Sequence, residues 1–174
     1  MSFSIANIIK TKSFSKIRQV ISQEGLYKKN GACENILQLV RLSNKAFGEK
    51  LQSIVKDLLE LDNSCDAGHD AQKISMNCKF EIKSSRYAVS TRDFMWQHIM
   101  EEHDYDYLIL VGVDYNCLKM YLISKYYFMK LKTKGLVTQQ GRAEGQGLWA
   151  QRKNILPYLQ EIKSKEHFYE LIKQ

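Results

Sequence analysis

An aspartate followed by a Glu-x-Lys triplet is the residue pattern in this chain that is best suited to chemistry. Asp70 is separated by ten residues from Glu81, which is followed by Ile82 and Lys83. Hydrolysis of a phosphodiester requires a divalent cation that polarises the phosphoryl oxygen and supplies hydroxide near neutral pH. Mg²⁺ prefers carboxylate oxygens and keeps several waters, so about two protein carboxylates are sufficient. We expect Asp70 and Glu81 to bind the cation, and Lys83 to hold the attacking water and offset the charge on the phosphate.

The segment around the triplet alternates between apolar and polar residues, as a β-strand does. Phe80 and Ile82 would lie on one face of this strand, and Glu81 and Lys83 would share the other face. A polar turn segment comes before it and places Asp70 before or within a first strand. The two strands would therefore bring the two carboxylates and the lysine to one edge of a sheet.

The remaining hydrophobic patterns predict helices before this strand pair and a buried strand after it. A 3.6-residue period from Ser43 to Leu61 marks the clearest helix, and Gly25 together with the Asn30-Gly31 pair is expected to separate two earlier ones. The order of elements indicates an α/β fold, a mixed sheet flanked by helices, in a single domain of residues 1–174. The other predicted elements are helices near Ser15 to Gln23, Cys33 to Leu42 and Arg92 to Glu102, strands at 105–114 and 118–125, an exposed glycine-rich loop beyond Lys130, and a helical part from about Ala150 to Gln174 that Pro157 interrupts and whose last helix Ser164 caps.

The composition favours a protein of the cytoplasm with nucleic acid as its partner. The chain has 26 Lys and Arg against 19 Asp and Glu, a net charge of +7, and 44% hydrophobic residues, which suffice for one core. Its four cysteines form no CxxC pair and its N-terminus has no apolar run typical of a signal peptide, so we expect reduced thiols. No apolar stretch approaches the roughly 18 residues of a membrane span, and no membrane association is expected.

The spacing of Asp70, Glu81 and Lys83, D-x10-E-x-K, resembles the motif of the PD-(D/E)XK nuclease superfamily. His69 stands where that motif has a proline before the aspartate. The segment GEKLQSIVKDLLEL resembles the helix that precedes the motif in this superfamily. The segment EIKSSRY, followed by a stretch with Trp and Gln and by the apolar YDYLILVGVD, resembles type II restriction endonucleases. The resemblance covers residues 43–125, about half the chain.

This resemblance implies a cofactor and further site residues. The cofactor would be Mg²⁺, for which Mn²⁺ can substitute, held by the two carboxylates with help from the Ile82 carbonyl. Many relatives carry a glutamate on the preceding helix, where this chain has Gln52, with Glu49 as the nearest carboxylate. By analogy Gln97 would face the site from the later helix. The implied parts are an N-terminal helical part at 1–42, a restriction endonuclease-like catalytic core at 43–130, and a loop with C-terminal helices at 131–174.

Two polar segments are candidates for DNA contacts, one directly after the catalytic strand and one in the glycine-rich loop. Gln and Arg side chains read adenine and guanine edges in the major groove, although a solvated strand end and a plain loop explain these segments equally well. We expect a type II restriction endonuclease that cuts double-stranded DNA at a short specific sequence, as a homodimer that matches a palindromic site. Whether a cognate DNA methyltransferase acts on the same site stays open. The candidate DNA-binding residues are Ser84, Ser85, Arg86, Gln139, Gln140 and Arg142.

Two other functions fit the same residues. A structure-selective nuclease, such as a junction resolvase or a repair nuclease, would use the same chemistry on a branched or damaged substrate. A DNA-binding or interaction protein on the same scaffold would lack activity. Within the motif, Asp66 competes with Asp70 as the first carboxylate, although the superfamily pattern prefers the residue nearer the strand.

Two further groups of residues invite a functional interpretation but have a simpler explanation. Cys65, His69 and Cys78 have a tolerable spacing for zinc but lack a fourth ligand, and Cys78 is better explained as a buried thiol. Three tyrosines near the last predicted strand are expected to lie in the core or an interface rather than to stack on bases; they are Tyr121, Tyr126 and Tyr127.

Overall fold

The computed structural model describes residues 22–65, 67–141 and 147–173 of the chain. The helix predicted near Ser15 to Gln23 lies outside these ranges except for its last two positions, as do Asp66 and Arg142. The α/β class is confirmed, because a six-stranded mixed sheet and a three-stranded sheet are flanked by helices. Within the described ranges, no helix combines the length and the apolar character needed to cross a bilayer.

The elements of the described residues are numbered here in chain order. The helices are α1 (Gln23–Lys29), α2 (Glu34–Arg41), α3 (Asn44–Leu59), α4 (Lys125–Thr133), α5 (Arg152–Ile155) and α6 (Lys165–Leu171), with short 3₁₀ turns at Ile74–Met76 and Leu156–Tyr158. The strands are β1 (Asp62–Asn63), β2 (Ala71–Lys73), β3 (Cys78–Arg86), β4 (Met95–Ile99), β5 (Tyr107–Val113), β6 (Leu118–Ser124), β7 (Val137–Gln139), β8 (Leu148–Gln151) and β9 (Gln160–Glu161).

The main sheet contains the strand that the sequence predicts around the Glu-x-Lys triplet. Its strand order is β1-β2-β3-β5-β6-β9, with β3 and β5 parallel and the other neighbours antiparallel. Glu81 lies opposite Leu108 in the parallel pair. The strand predicted at 105–114 and its hairpin partner at 118–125 are confirmed as β5 and β6. β3 therefore occupies an inner position, with a short antiparallel strand on one side and the buried β5 on the other.

The second sheet, with order β4-β8-β7, lies in two segments for which the sequence predicts a helix and a loop. The helix predicted at Arg92 to Glu102 is wrong, because this segment contains β4. An irregularity in the ladder between Trp96 and Ile99, with His98 at φ 56°, puts two core residues three positions apart and so imitates a helical period. The loop predicted beyond Lys130 is also wrong at its ends, where α4 continues and β7 and β8 form.

The two faces of the main sheet pack against different layers. On one face Phe80 and Ile82 of β3 belong to a cluster with Val55 of α3 and Phe168 of α6. On the other face Leu108 and Leu110 of β5 pack with Trp96 of β4 and Phe128 of α4. Glu81 and Lys83 lie on this second face, because side chains alternate along a strand.

Close packing between the sheets requires a glycine in β5. A Cβ atom on Gly112 would lie 2.3 Å from the ring of Phe94, well inside any allowed contact. The glycine thus lets the segment before β4 lie directly on the main sheet. This contact fixes the second sheet over the face that carries Glu81.

The ends of the helices follow local sequence signals, with two corrections. Ser43, where the sequence predicts that the helix begins, caps α3 with its Oγ accepting the Ala46 N–H at 3.3 Å, and Ser164 caps α6 as predicted. Gly25 does not separate two helices but lies in the first turn of α1, where Ser22 accepts its N–H. The C-terminal part is less helical than predicted, because Pro157 lies in a 3₁₀ turn and β9 follows it.

Candidate functional site

The structure brings Asp70, Glu81 and Lys83 together beside the middle of β3. Asp70 directly precedes β2, and its main-chain N–H donates to the Phe80 carbonyl at 3.0 Å. Its Oδ2 accepts the N–H of Ile82 at 2.8 Å, which fixes the carboxylate against the Glu-Ile-Lys triplet. Lys83 Nζ lies 2.7 Å from Glu81 Oε1 on the shared face of the strand.

Burial makes this group of charges costly for the fold. Glu81 exposes only 2% of its surface, although it carries a carboxyl group. Burial, and after it the negative charge of Glu81, raises the pKa of the Asp70 carboxyl above its ordinary value. The Ile82 N–H and the charges of Lys83 and His103 act in the opposite direction but do not outweigh these effects. The negative charge at Asp70 is therefore only partly compensated. A divalent cation beside the two carboxylates would offset the cost of burying this charge and would reduce the repulsion between them.

His103 is a member of the site that the sequence interpretation misses. Its Nδ1 lies 3.3 Å from Glu81 Oε1, so the imidazole adds a positive charge beside the glutamate whenever it is protonated. Lys125 of α4 donates from Nζ to the His103 carbonyl at 2.5 Å and holds this segment in place. The one cue in the sequence is that His103 comes just before the buried strand, and only the parallel pairing of that strand with β3 brings its N-terminal end to Glu81.

The Ile82 carbonyl, expected as a third metal ligand, belongs to the residue between the two functional side chains. The Ile82 side chain is buried on the opposite face of β3, and its N–H is bonded to Asp70. Within the described ranges, no three His, Cys, Asp or Glu side chains are grouped as metal ligands. Asp70 and Glu81 supply two carboxylates, a donor set with which Mg²⁺ can bind when main-chain oxygen and water complete its coordination.

The residues carried over by analogy lie on other elements than the carboxylates. Gln52 is half-buried on α3, a helix that contributes Leu51 to the cluster on the Glu81 face and Val55 to the cluster on the opposite face. Glu49 is exposed, lies 3.9 Å from Lys45 Nζ and faces the groove between α2 and α3. Gln97 is exposed on β4, in the second sheet. Their participation stays a prediction.

The three residues after the Glu-x-Lys triplet are the last residues of β3 and not a segment that follows it, and two of them make contacts inside the protein. Ser85 is buried, donates to the Arg86 carbonyl at 2.8 Å and accepts the Met95 N–H at 2.9 Å, which ties β3 to β4. Arg86 donates to the Leu42 carbonyl at 2.6 Å and lies over the Phe47 ring, so it holds the start of α3. Burial lowers the pKa of this guanidinium. Ser84, between them and the triplet, is half-buried.

The second predicted DNA-contacting segment is described only in part. Gln139 is exposed at the end of β7, and the following Gln140 accepts the main-chain N–H of His98 at 3.0 Å through its Oε1. Arg142 lies outside the described residues. The zinc alternative gains no support, because Cys65 is exposed and its Sγ lies 2.8 Å from Gln72 Nε2. Comparison of the chain with protein-family models found no match, and a search of curated proteins found none either.

Proposed function

We propose that this protein is a Mg²⁺-dependent endodeoxyribonuclease, a hydrolase of phosphodiester bonds in double-stranded DNA, in which Mn²⁺ can replace Mg²⁺. The observation that carries the proposal is the grouping of two adjacent carboxylates, Asp70 and Glu81, with Lys83 at 2.7 Å from the glutamate. A bound divalent cation would polarise the phosphate and supply hydroxide near neutral pH. The raised pKa of the Asp70 carboxyl, caused by burial and then by the charge of Glu81, is consistent with this assignment, because a bound cation would favour the ionised form.

Each protein group has a distinct task in this proposal. Asp70 and Glu81 bind the cation, and the Ile82 N–H keeps the Asp70 carboxylate oriented. Lys83 forms an ion pair with Glu81 at 2.7 Å. With a cation bound to the carboxylates, its ammonium group would be available to the attacking water and the phosphate. His103 Nδ1, 3.3 Å from the same Glu81 oxygen that Lys83 contacts, would add a second positive charge there when protonated. Preorganised charges of this kind act strongly in a site that excludes water.

The restriction-type form of the proposal concerns how DNA is recognised. Cleavage of both strands at a short specific sequence requires residues that reach base edges and a homodimer with two-fold symmetry. The net charge of +7 and the polar connection between β7 and β8, with Gln139 at its start, support a DNA-facing role for that side of the second sheet. A cognate methyltransferase would be a partner of this form only.

A structure-selective nuclease is a second candidate, favoured by a specific observation. Tyr126 and Tyr127 are largely exposed on α4, close to lysines, where duplex recognition has no need of aromatic rings. Unpaired bases stack on such rings, whereas paired bases in a duplex are hidden from them. A substrate with an unpaired segment therefore fits this surface.

Cleavage assays with a matched set of variants test the proposal. Purified protein is incubated with Mg²⁺ or Mn²⁺ and either plain plasmid or branched oligonucleotides, and the cut ends are mapped. We expect Asp70→Asn and Lys83→Ala to lose cleavage by at least about a hundredfold, while Asp57→Asn and Lys29→Ala, exposed carboxylate and lysine controls, keep it. Discrete plasmid ends identify the restriction-type form, and cleavage confined to branched DNA identifies the structure-selective form. Activity that survives in Asp70→Asn, or wild-type protein that cuts none of these substrates, overturns the nuclease proposal.

A further inference from the structure

The outer side of α4 exposes aromatic rings that a folded core would normally cover. Tyr126 and Tyr127 expose 63% and 61% of their surface, and Tyr158 in the 3₁₀ turn after α5 exposes 45%. The expectation of a core or interface position holds for Tyr121, which is buried, but the core positions of α4 are taken by others, such as Phe128. Large exposed aromatic groups in one place indicate a contact surface.

Two lysines accompany these rings. Lys130 Nζ lies 4.1 Å from the ring centroid of Tyr126 and 5.6 Å from that of Tyr127, and Lys134 Nζ lies 5.5 Å from that of Tyr158. In the parts of the chain that the structure describes, neither lysine has a carboxylate within ion-pair distance, whereas Lys132 of the same helix is paired with Glu101. We call Tyr126, Tyr127, Tyr158, Lys130 and Lys134 the tyrosine-lysine surface. Its positive charge is uncompensated within the described chain.

A groove of about 740 Å³ is lined by four of the five residues of the tyrosine-lysine surface, and Tyr126 lies beside it on the same helix. Its walls include Tyr127, Lys130 and Tyr158, and its apolar floor includes Ile123 and Leu131. This volume lies in the usual range for pockets that bind small organic molecules. The surface therefore offers aromatic faces, an apolar floor and cationic rims together.

The helix that carries most of the tyrosine-lysine surface, α4, contacts the candidate site through its first residue. Lys125, the first residue of α4, donates from its main chain to the Asp106 carbonyl at 2.8 Å and from Nζ to the His103 carbonyl at 2.5 Å. His103 in turn lies 3.3 Å from Glu81. α4 packs through Phe128 on the same face of the main sheet that carries Glu81. A nucleic-acid strand bound along α4 would therefore lie on the helix whose first residue contacts the segment beside Glu81.

We propose that the tyrosine-lysine surface binds an unpaired DNA strand, with bases stacked on Tyr126 and Tyr127 and phosphates beside Lys130 and Lys134. Stacking on aromatic rings and a positively charged track are the two features that bind single strands without sequence preference. Tyrosines are also common in protein interfaces, but the unpaired lysines favour a polyanion. The proposal rests on the proposed function only in that the strand would lie on a helix that contacts the candidate site. Binding itself needs no cation and is measured without one.

Fluorescence anisotropy with a labelled thymidine oligonucleotide of about 12 nucleotides, in EDTA, tests the proposal. We expect the single strand to bind more tightly than a duplex of the same length. The double variant Tyr126→Ala/Tyr127→Ala should weaken single-strand binding by about tenfold or more, whereas Tyr126→Phe/Tyr127→Phe should keep it, because the ring is what stacks. Lys130→Ala should reduce the slope of log affinity against log salt by about 0.7, the value of one single-strand phosphate contact.

Two exposed side chains outside the tyrosine-lysine surface serve as controls. Leu58→Ala removes an exposed apolar side chain on α3, and Lys29→Ala removes a lysine on α1, whose Tyr27 contacts the far end of β5. Both should bind the oligonucleotide as the wild type does. Equal affinity for duplex and single strand, no loss in the alanine double variant, or the same loss in the phenylalanine variant overturns the proposal and leaves a protein partner as the occupant. Because no cation is present, absence of cleavage in the earlier assay leaves this result unaffected.

Discussion

Replacing Asp70 with asparagine should stabilise the cation-free protein while abolishing cleavage. Burial and the charge of Glu81 raise the pKa of the Asp70 carboxyl, so the fold holds the ionised form at a cost in free energy. Asparagine removes the charge and keeps an oxygen that can accept the Ile82 N–H, which Asp70 Oδ2 accepts at 2.8 Å. The fold should therefore gain stability from a change that removes a metal ligand.

The size and pH dependence of this gain follow from the same contacts. Relief of one partly compensated charge typically contributes about 1 kcal/mol, which raises the Tm of a domain of this size by about 2 to 4 °C. Because the folded pKa of Asp70 lies above its ordinary value of 3.8, the folded protein binds the proton more tightly than the unfolded chain does. The wild type therefore loses stability relative to Asp70→Asn as the pH rises from 3.8 through the folded pKa, and the difference is constant above it.

Thermal unfolding in EDTA at pH 7 and pH 4 measures this difference. Asp57→Asn, an exposed position on α3, serves as the matched control and should change stability by less than about 0.5 kcal/mol. We expect the advantage of Asp70→Asn to be largest at pH 7 and smaller at pH 4. A lower Tm for Asp70→Asn at pH 7 would show that the carboxylate serves the fold as an acceptor for the Ile82 N–H, and the interpretation as a cation-binding pair would be refuted.

Three further predictions concern cation binding and the packing around the site. A Mg²⁺ concentration of 100 times its Kd should stabilise the wild type by about 2.7 kcal/mol but leave Glu81→Gln nearly unchanged, as followed by thermal unfolding; equal stabilisation of both would contradict the ligand assignment. Ser85→Ala should cost about 1 to 3 kcal/mol, since the Met95 N–H loses its acceptor, while DNA affinity in EDTA stays the same; a selective loss of DNA affinity would instead support a contact with DNA. Gly112→Ala should cost about 1 to 3 kcal/mol or prevent folding because its Cβ would meet a buried ring, whereas Gly48→Ala on α3, with open space around it, should be neutral or stabilising by up to about 1 kcal/mol in urea unfolding.

The grouping of the carboxylates could be predicted from local sequence because it depends on short-range geometry. Period-two alternation puts Glu81 and Lys83 on one face, and the short connection from β2 to β3 brings Asp70 back beside them. The cap at Ser43 and the apolar period after it likewise fixed the start of α3. These features involve residues within about a dozen positions of one another, where pattern and distance in the fold agree.

The missed features depend on long-range or irregular geometry. His103 comes to Glu81 only because β3 and β5 pair in parallel, a register that no local pattern encodes. The bulge in β4 brings Trp96 and Ile99 to the core at a helix-like spacing, and this spacing misled the prediction of that segment. Tyr126 is exposed because the other side of α4 packs on the sheet, whereas its hydrophobicity alone predicts a position in the core or an interface.

The setting of Glu81 argues that its chemistry, and not the stability of the fold, accounts for the residue types at this site. A carboxylate with 2% exposure pays a desolvation cost, which Lys83 at 2.7 Å and His103 at 3.3 Å offset in part. An apolar pair of similar size commonly stabilises a core as well as a buried ion pair does, so stability alone gives no reason for these charges. Asp70 adds a second, mutually repelling carboxylate to the same place. Such costly groupings are expected at functional sites, and two carboxylates beside a lysine have the charge and the oxygen donors that the proposed divalent cation and its phosphate would need.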